Sequence, residues 1–321
     1  MVNDKDETLL NTLRIQNWVN FQGQSQIKKS LGIAIKAAKE RQEAVDHVLL
    51  YGPPGLGKTT LAHLVAKEME SEIRISSGTA LSKTGDLAAI LTNLKAGDIF
   101  FIDEIHRLRK PVEEMLYAVM EDYALDIVIG KGPSARTVRI DLPKFTLVGA
   151  TTRFGALAGP FRDRFGVTHR VKHYKPEELI SILQNAADKL EIILEKDSAL
   201  EIARRSRGTP RIALKLLKRV RDYAQINNNN QINPELVHEA LDLHAVDKLG
   251  LTDMDRKFLS TIINKHAGGP VGLSTVAATL NEDAITIEEV IEPFLLQIGF
   301  MKKTPKGRVI QKLAYKHLGL S

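Results

Sequence analysis

A chain of 321 residues, 43% hydrophobic and 26% charged, exceeds one average core and predicts two or three domains, without the composition of a wholly disordered protein. Its net charge of +6 permits a polyanionic partner, and the absence of cysteine excludes a disulfide framework and a thiolate zinc site. The opening MVNDKDETLL lacks the basic-then-apolar profile of a signal peptide, and no apolar run approaches the ~20 residues that span a bilayer, so a cytoplasmic protein without membrane contact is expected.

Up to about residue 172, short apolar runs alternate with helical stretches. HVLLYG at 47–52, DIFFID at 98–103 and FTLVGATT at 145–152 suit strands buried on both faces of a parallel sheet. The stretches 59–69 and 112–122 carry helical periodicity, so the fold class expected is α/β, with helices on both faces of the sheet. The first strand runs into GPPGLGKTT at 52–60, which matches G-x-x-x-x-G-K-[ST] and opens a helix. Backbone N–H groups about Gly55 and Gly57 would wrap phosphate oxygens at the positive end of that helix. Lys58 would reach the β- and γ-phosphates and Thr59 would hold Mg²⁺, with Thr60 beside it. The second strand ends in Asp103, placed to bind Mg²⁺ directly or through water, and Glu104, placed to polarise the attacking water.

LDIVIG and RTVRIDL alternate around a Gly-Lys-Gly-Pro-Ser turn and predict a hairpin over about 125–141. Its apolar face would hold Ile127, Ile129 and Ile140, which either pack on their own domain or dock a partner. The third strand ends in GATTR, bringing Thr151 or Thr152 near the γ-phosphate, because ligands of open parallel sheets bind beyond the carboxyl ends of the strands. GPFRDRFG then offers Arg162 and Arg164, as a solvated pair or as an arginine finger inserted into a neighbour's site.

From about Pro176 the strands stop. Four amphipathic helices are predicted in PEELISILQNAADKL, DSALEIARRS, PRIALKLLKRVRDYAQI and PELVHEALDLHAV, with INNNNQIN at 226–233 as a polar loop. Arg211 falls in the first turn of the third, an unfavourable place for a cation that a nearby phosphate would explain. Thr252 and Asp255 form a capping-box pattern that opens a last helical module. Two short strands around MKKTPKGR at 301–308 complete the outline of a winged helix. Its turn, either a solvated loop or a wing, offers Lys303, Lys306 and Arg308 as phosphate contacts without base specificity.

The order of phosphate loop, FIDEIHRL, GATTR, PFRDRFG and GTPR resembles AAA+ ATPases. Across nearly the whole chain the text is similar to the RuvB family of bacterial Holliday-junction branch-migration motors. The most specific matches are DEIHRL, MEDYALDIVIGKGPSARTVRIDLPKFTLVGATTR and EPFLLQIGFMKKTPKGR. The resemblance implies a P-loop ATPase domain at 1–172 with the hairpin inserted, a helical lid domain at 173–247, and a winged-helix DNA-binding domain at 248–321. It implies an ATP- and Mg²⁺-dependent, six-membered ring around duplex DNA at four-way junctions, serving recombination and repair. The ring would dock a RuvA-type junction binder through the hairpin, with a RuvC-type resolvase as a further partner.

The same resemblance implies Thr152 as the γ-phosphate sensor, Arg164 as a finger given in trans, and Arg211 as the lid sensor. Leu13, Arg14 and Tyr174 would lie around the nucleotide, with main-chain contacts from Glu121, Asp122 and Tyr123. The chain departs from the family pattern in Ile15 for a proline, Ala284 for an arginine, and Lys303 and Lys306 for arginines. An ammonium lacks the planar guanidinium fork, so a weaker or more salt-sensitive DNA grip is expected. A clamp-loader-type switch fits the winged helix and hairpin poorly, and no aromatic pore loop of the protein-unfolding ATPases stands out.

Overall fold

The computed structural model describes residues 12–13, 15, 17–129, 136–227 and 231–320. Contacts divide the chain into two compact units, Met1–Ile182 with Thr209–Arg211, and Leu183–Gly208 with Ile212–Ser321.

The first unit is built on five parallel strands, β1 (Val48–Tyr51), β2 (Ile73–Ser77), β3 (Ile99–Asp103), β6 (Thr146–Thr151) and β7 (Val167–Arg170), in the order β2-β3-β6-β1-β7. Central strands β1, β3 and β6 are almost wholly buried, which explains their unbroken apolar text. Edge strand β7 exposes alternate residues and β2 exposes Arg74 and Ile75 with no residue fully buried, and their polar IRISS and VTHR text carries no apolar run that marks a strand. Helices α1 (Ser25–Arg41), α2 (Lys58–Glu68), α3 (Thr84–Leu91) and α4 (Lys110–Asp122) complete the layers. Leu49, Phe100, Ile102 and Leu147 form one core with Leu87 and Leu91 of α3 and Val112, Leu116 and Val119 of α4. Alternation turns Val48, Leu50, Phe101 and Val148 to the other face, where α2 packs on β3 and β6. Truncating a wholly buried side chain such as Leu116 to Ala would cost about 2–5 kcal/mol.

Strands β4 (Ala124–Ile129) and β5 (Arg136–Asp141) form the expected antiparallel hairpin, paired Leu125 to Ile140, Ile127 to Val138 and Ile129 to Arg136. Its turn, 130–135, lies outside the described residues. Short helix α5 (Gly159–Asp163) precedes β7.

Helix α6 (Pro176–Lys189) leads to the second unit, which holds α7 (Lys196–Arg204), most of α8 (Pro210–Asn227), and α9 (Pro234–Leu243). Strands do not stop at Pro176. Two-residue strands β8 (Ile193–Leu194) and β9 (Gln231–Ile232) pair in parallel, and β9 lies within the segment 226–233 expected as a polar loop. Ile232 is buried there and its carbonyl accepts from the Ser198 hydroxyl at 2.9 Å, a tie that one apolar residue among asparagines does not announce.

The final module has α10 (Asp253–His266), α11 (Leu273–Leu280), and a continuous run of α12 (Ala284–Thr286), a π-helical turn Ile287–Ile291 and α13 (Glu292–Gln297). Antiparallel strands β10 (Met301–Thr304) and β11 (Gly307–Ile310) follow, then α14 (Lys312–His317). The capping box is present: the Asp255 carboxylate accepts from the Thr252 N–H at 2.7 Å, and the Thr252 hydroxyl oxygen accepts from the Asp255 N–H at 3.4 Å. Phe258, Leu259, Ile262, Val276, Ile287, Leu295, Met301 and Ile310 make its core. Among the described residues, no helix is long and apolar enough to cross a membrane.

Candidate functional site

The glycine loop leaves the carboxyl end of β1 and turns directly into α2. Gly55 and Gly57 have φ of 78° and 94°, values that favour glycine. A Cβ on Gly55 would lie 2.8 Å from Thr209 Cγ2 and 3.0 Å from Arg211 Cβ, so the loop is packed closely on the GTPR segment. The Arg211 backbone N–H also donates to Gly55 O at 3.4 Å.

Lys58 is buried, and its Nζ donates to the carbonyls of Gly52 and Pro53 at 2.8 and 2.9 Å. Burial lowers its pKa, while the carboxylates of Glu104 and Asp103 act in the opposite sense. Thr59 and Thr60 are half-buried in the first turn of α2, at the positive end of its dipole. Asp103 closes β3, and burial raises its pKa above the usual carboxylate range.

Glu104 has φ of 47°, a left-handed conformation uncommon outside glycine. Gly78 makes room for it, since a Cβ there would come within 2.4 Å of Glu104 O. The Glu104 carboxylate accepts from the Thr152 hydroxyl at 2.9 Å and its backbone N–H at 3.3 Å. His106 Nδ1 lies 3.1 Å from the same carboxylate and 2.9 Å from Thr151 Oγ1. The two threonines are thus distinguished: Thr152 meets Glu104, and Thr151 is wholly buried against His106. His106 joins the site through these two contacts, and the one sequence signal for it is its place in DEIHRL.

Tyr174 is buried, its hydroxyl donates to Leu56 O at 3.4 Å, and burial raises its pKa. A Cβ on Gly57 would lie 3.7 Å from that hydroxyl and 3.8 Å from the Phe21 ring. Leu13 is buried, and Arg14 lies outside the described residues.

A second group of predicted residues lies at the other end of the strands. Tyr123 packs against His47 and Phe145, which immediately precede β1 and β6, with ring centroids 5.9 Å apart in each pair. Arg164 precedes β7, and its guanidinium bonds Pro160 O at 2.7 Å and Glu121 at 2.9 Å while lying over the Tyr117 ring. Asp122 is tied to Arg139 of the hairpin at 3.0 Å. The four residues of β1, at ~3.3 Å per residue, put this group roughly 13 Å of strand from the glycine loop. Arg164, Glu121, Asp122 and Tyr123 therefore are not gathered with Lys58, Asp103 and Glu104 of their own chain.

On the hairpin, Ile127 and Ile140 are partly buried on the domain core, whereas Val138 on the same face is 41% exposed. Ile129 is paired in the ladder, and its side chain lies outside the described residues. At the wing, Lys306 is exposed, while Lys303 and Arg308 both turn to the buried carboxylate of Glu292.

Amides at a helix N-terminus, a buried ammonium, and the oxygens of Thr59 and Asp103 form a donor set that fits a nucleoside triphosphate with Mg²⁺. The family model for the "Holliday junction DNA helicase RuvB P-loop domain" matches residues 13–171. Those for the "RuvB AAA lid domain" and "RuvB C-terminal winged helix domain" match 174–247 and 248–319. Among solved structures, the Thermotoga maritima RuvB Holliday junction branch migration motor is 48% identical with a TM-score of 0.86, covering 96% of this chain and 99% of its own. A single-residue variant of that protein is also 48% identical, with a TM-score of 0.87 and coverage of 97% and 99%.

Proposed function

The chain belongs to the RuvB family of Holliday junction DNA helicases, P-loop ATPases, and from that membership we propose that it is a cytoplasmic, homohexameric ring motor that moves duplex DNA through four-way junctions. Residues 1–172 form the motor domain, 173–247 the lid and 248–321 the DNA-binding winged helix. ATP supplies a phosphoanhydride whose hydrolysis releases the energy for movement. Backbone amides of the glycine loop and Lys58 bind its phosphates, Thr59 and Asp103 hold Mg²⁺, and Glu104 orients and deprotonates the attacking water. Thr152 senses the terminal phosphate, and Arg211 reports the nucleotide to the lid. Leu13, Arg14 and Tyr174 line the base side.

The observation that carries the ring is the separation of Arg164 from the glycine loop. A finger held at the amino ends of the strands serves a neighbour, and Glu121, Asp122 and Tyr123 go with it. Every subunit then lends one edge and borrows another, a head-to-tail arrangement that is compatible with a ring and gives one where the rotation between neighbours closes. The hairpin receives a RuvA-type junction binder, the wing contacts DNA phosphates, and a RuvC-type resolvase joins the junction complex. The decisive experiment follows a synthetic four-way junction with this protein, ATP and Mg²⁺, with and without a RuvA-type protein. ATP-dependent separation into forked duplexes is expected, and ATPase activity without movement in both arms would leave a switch in place of a motor.

A further inference from the structure

Strand parity decides where the wing's cations point. In β10 and β11, Met301 faces Ile310 across the ladder and Lys303 faces Arg308, two residues on and on the same side of the ribbon. Met301 and Ile310 are buried, so Lys303 and Arg308 extend the core-facing side rather than the outer one. What meets them is Glu292, at the first position of α13 and wholly buried. Its Oε1 accepts from Arg308 Nε at 2.6 Å, and its Oε2 from Arg308 Nη2 at 3.4 Å and Lys303 Nζ at 2.7 Å. Lys303 Nζ also reaches Glu288 Oε1 at 3.2 Å.

The backbone fixes the ribbon as well. Val271 and Arg308 exchange N–H to carbonyl bonds at 3.1 and 2.8 Å, and a Cβ on Gly307 would lie 2.3 Å from Val271 O. Neither cation is buried completely: the Lys303 side chain is 40% exposed and that of Arg308 15%. Burial pulls the Lys303 ammonium toward neutrality, but Glu292 and Glu288 outweigh it and raise its pKa. The carboxylate therefore holds the two side chains side by side, each still partly exposed to solvent.

Resting on the proposal that the wing grips DNA, we infer that Glu292 is a positioning residue for that grip: its buried carboxylate holds Lys303 and Arg308 in the geometry in which they meet adjacent phosphates. Unbraced, either side chain would sample many rotamers and pay that entropy on binding. A buried acid beside a DNA-binding surface is otherwise unfavourable, because it subtracts one positive charge where the partner is anionic.

The two roles of a carboxylate here predict opposite signs. Glu288 and Glu292 both touch Lys303, but Glu288 is half exposed and bonds only Lys303 among the wing cations. Duplex DNA of generic sequence is titrated with full-length protein across a range of salt. Glu288→Gln removes a repelling charge and is expected to tighten binding, by up to about fivefold at low salt. Glu292→Gln removes the same charge yet is expected to weaken binding, by about tenfold, through loss of a charge-assisted bond that orients the cations. Thermal melting identifies a Glu292→Gln chain that has not folded. Arg308→Lys then takes its place, keeping the charge and losing the two-point fork, with weaker binding at an unchanged salt slope expected. Tighter or unchanged binding by folded Glu292→Gln, or unchanged binding by Arg308→Lys, overturns the positioning role. Lys303→Ala separates the two levels: if it leaves affinity and salt slope as in the parent, the wing reading itself fails.

Discussion

The carboxylate of Glu104 is held by Thr152 through two bonds, from the hydroxyl at 2.9 Å and the backbone N–H at 3.3 Å. The residue expected to activate water and the residue expected to sense phosphate are thus one hydrogen-bonded unit, set at the carboxyl ends of β3 and β6.

Replacing Glu104 by Gln keeps the shape and removes the base. Hydrolysis should fall by about 10²-fold or more while ATP still binds. Thr152→Val deletes the hydroxyl bond and should cost roughly tenfold. Single-turnover hydrolysis with bound nucleotide measured in parallel checks both, and parent rates in Glu104→Gln would remove it from the reaction.

Arg164→Ala and Lys58→Ala should each silence a uniform assembly, the first by about 10³-fold. Mixed together, the two variants should regain hydrolysis at interfaces where an intact loop faces an intact finger. Mixed assemblies verified by mass that recover nothing would argue for a site completed within one chain.

The hairpin separates packing from partnership. Val138→Asp places a charge on an exposed position and should leave melting near the parent while binding to a RuvA-type protein is lost. Ile140→Asp puts the charge against the domain core and should lower the melting temperature outright. Retained partner binding in Val138→Asp would direct attention away from this face.

His47 should make the motor domain acid-sensitive. Its Nδ1 accepts from the Leu147 N–H at 2.9 Å, so the proton sits on Nε2, 3.3 Å from Met120 O. Burial lowers its pKa below 6.5. A depressed folded-state pKa means that its contribution is complete above the unfolded value and is lost as pH falls through the folded one. Melting followed from pH 8 to 5 should show this decline, and His47→Gln should lose less over the same interval.

Asp255 is a stability site. Its carboxylate accepts from Thr252 N at 2.7 Å, Thr252 Oγ1 at 2.6 Å and Arg207 Nη2 at 2.5 Å. Asp255→Ala removes the cap and the carboxylate that faces the Arg207 guanidinium, which keeps its bond to Gly250 O at 2.8 Å, and should cost about 1–3 kcal/mol. Urea unfolding of the full chain measures it.

Much of this protein is written locally. Backbone conformation, helix start and phosphate chemistry are all set within the few residues of GPPGLGKT, so the loop can be read without knowing what surrounds it. The same holds for Thr252 and Asp255, whose bonds join residues three apart, and for VLLY and IFFID, whose apolar text reflects burial on both faces. What needed the tertiary structure is direction. Nothing in GATTR says which threonine turns to Glu104, because that depends on where β3 ends beside β6. Nothing near Arg164 says that it pairs with Glu121 at the far end of the strands. Strands β2 and β7 escaped notice because edge positions leave half their residues in water, and their partners, not their text, make them strands. At the wing, charge alone suggested that Lys303 and Arg308 face solvent. Alternation along β10 and β11 turns them toward the core side instead, where the buried carboxylate of Glu292 on a separate helix pairs with both while part of each stays in solvent.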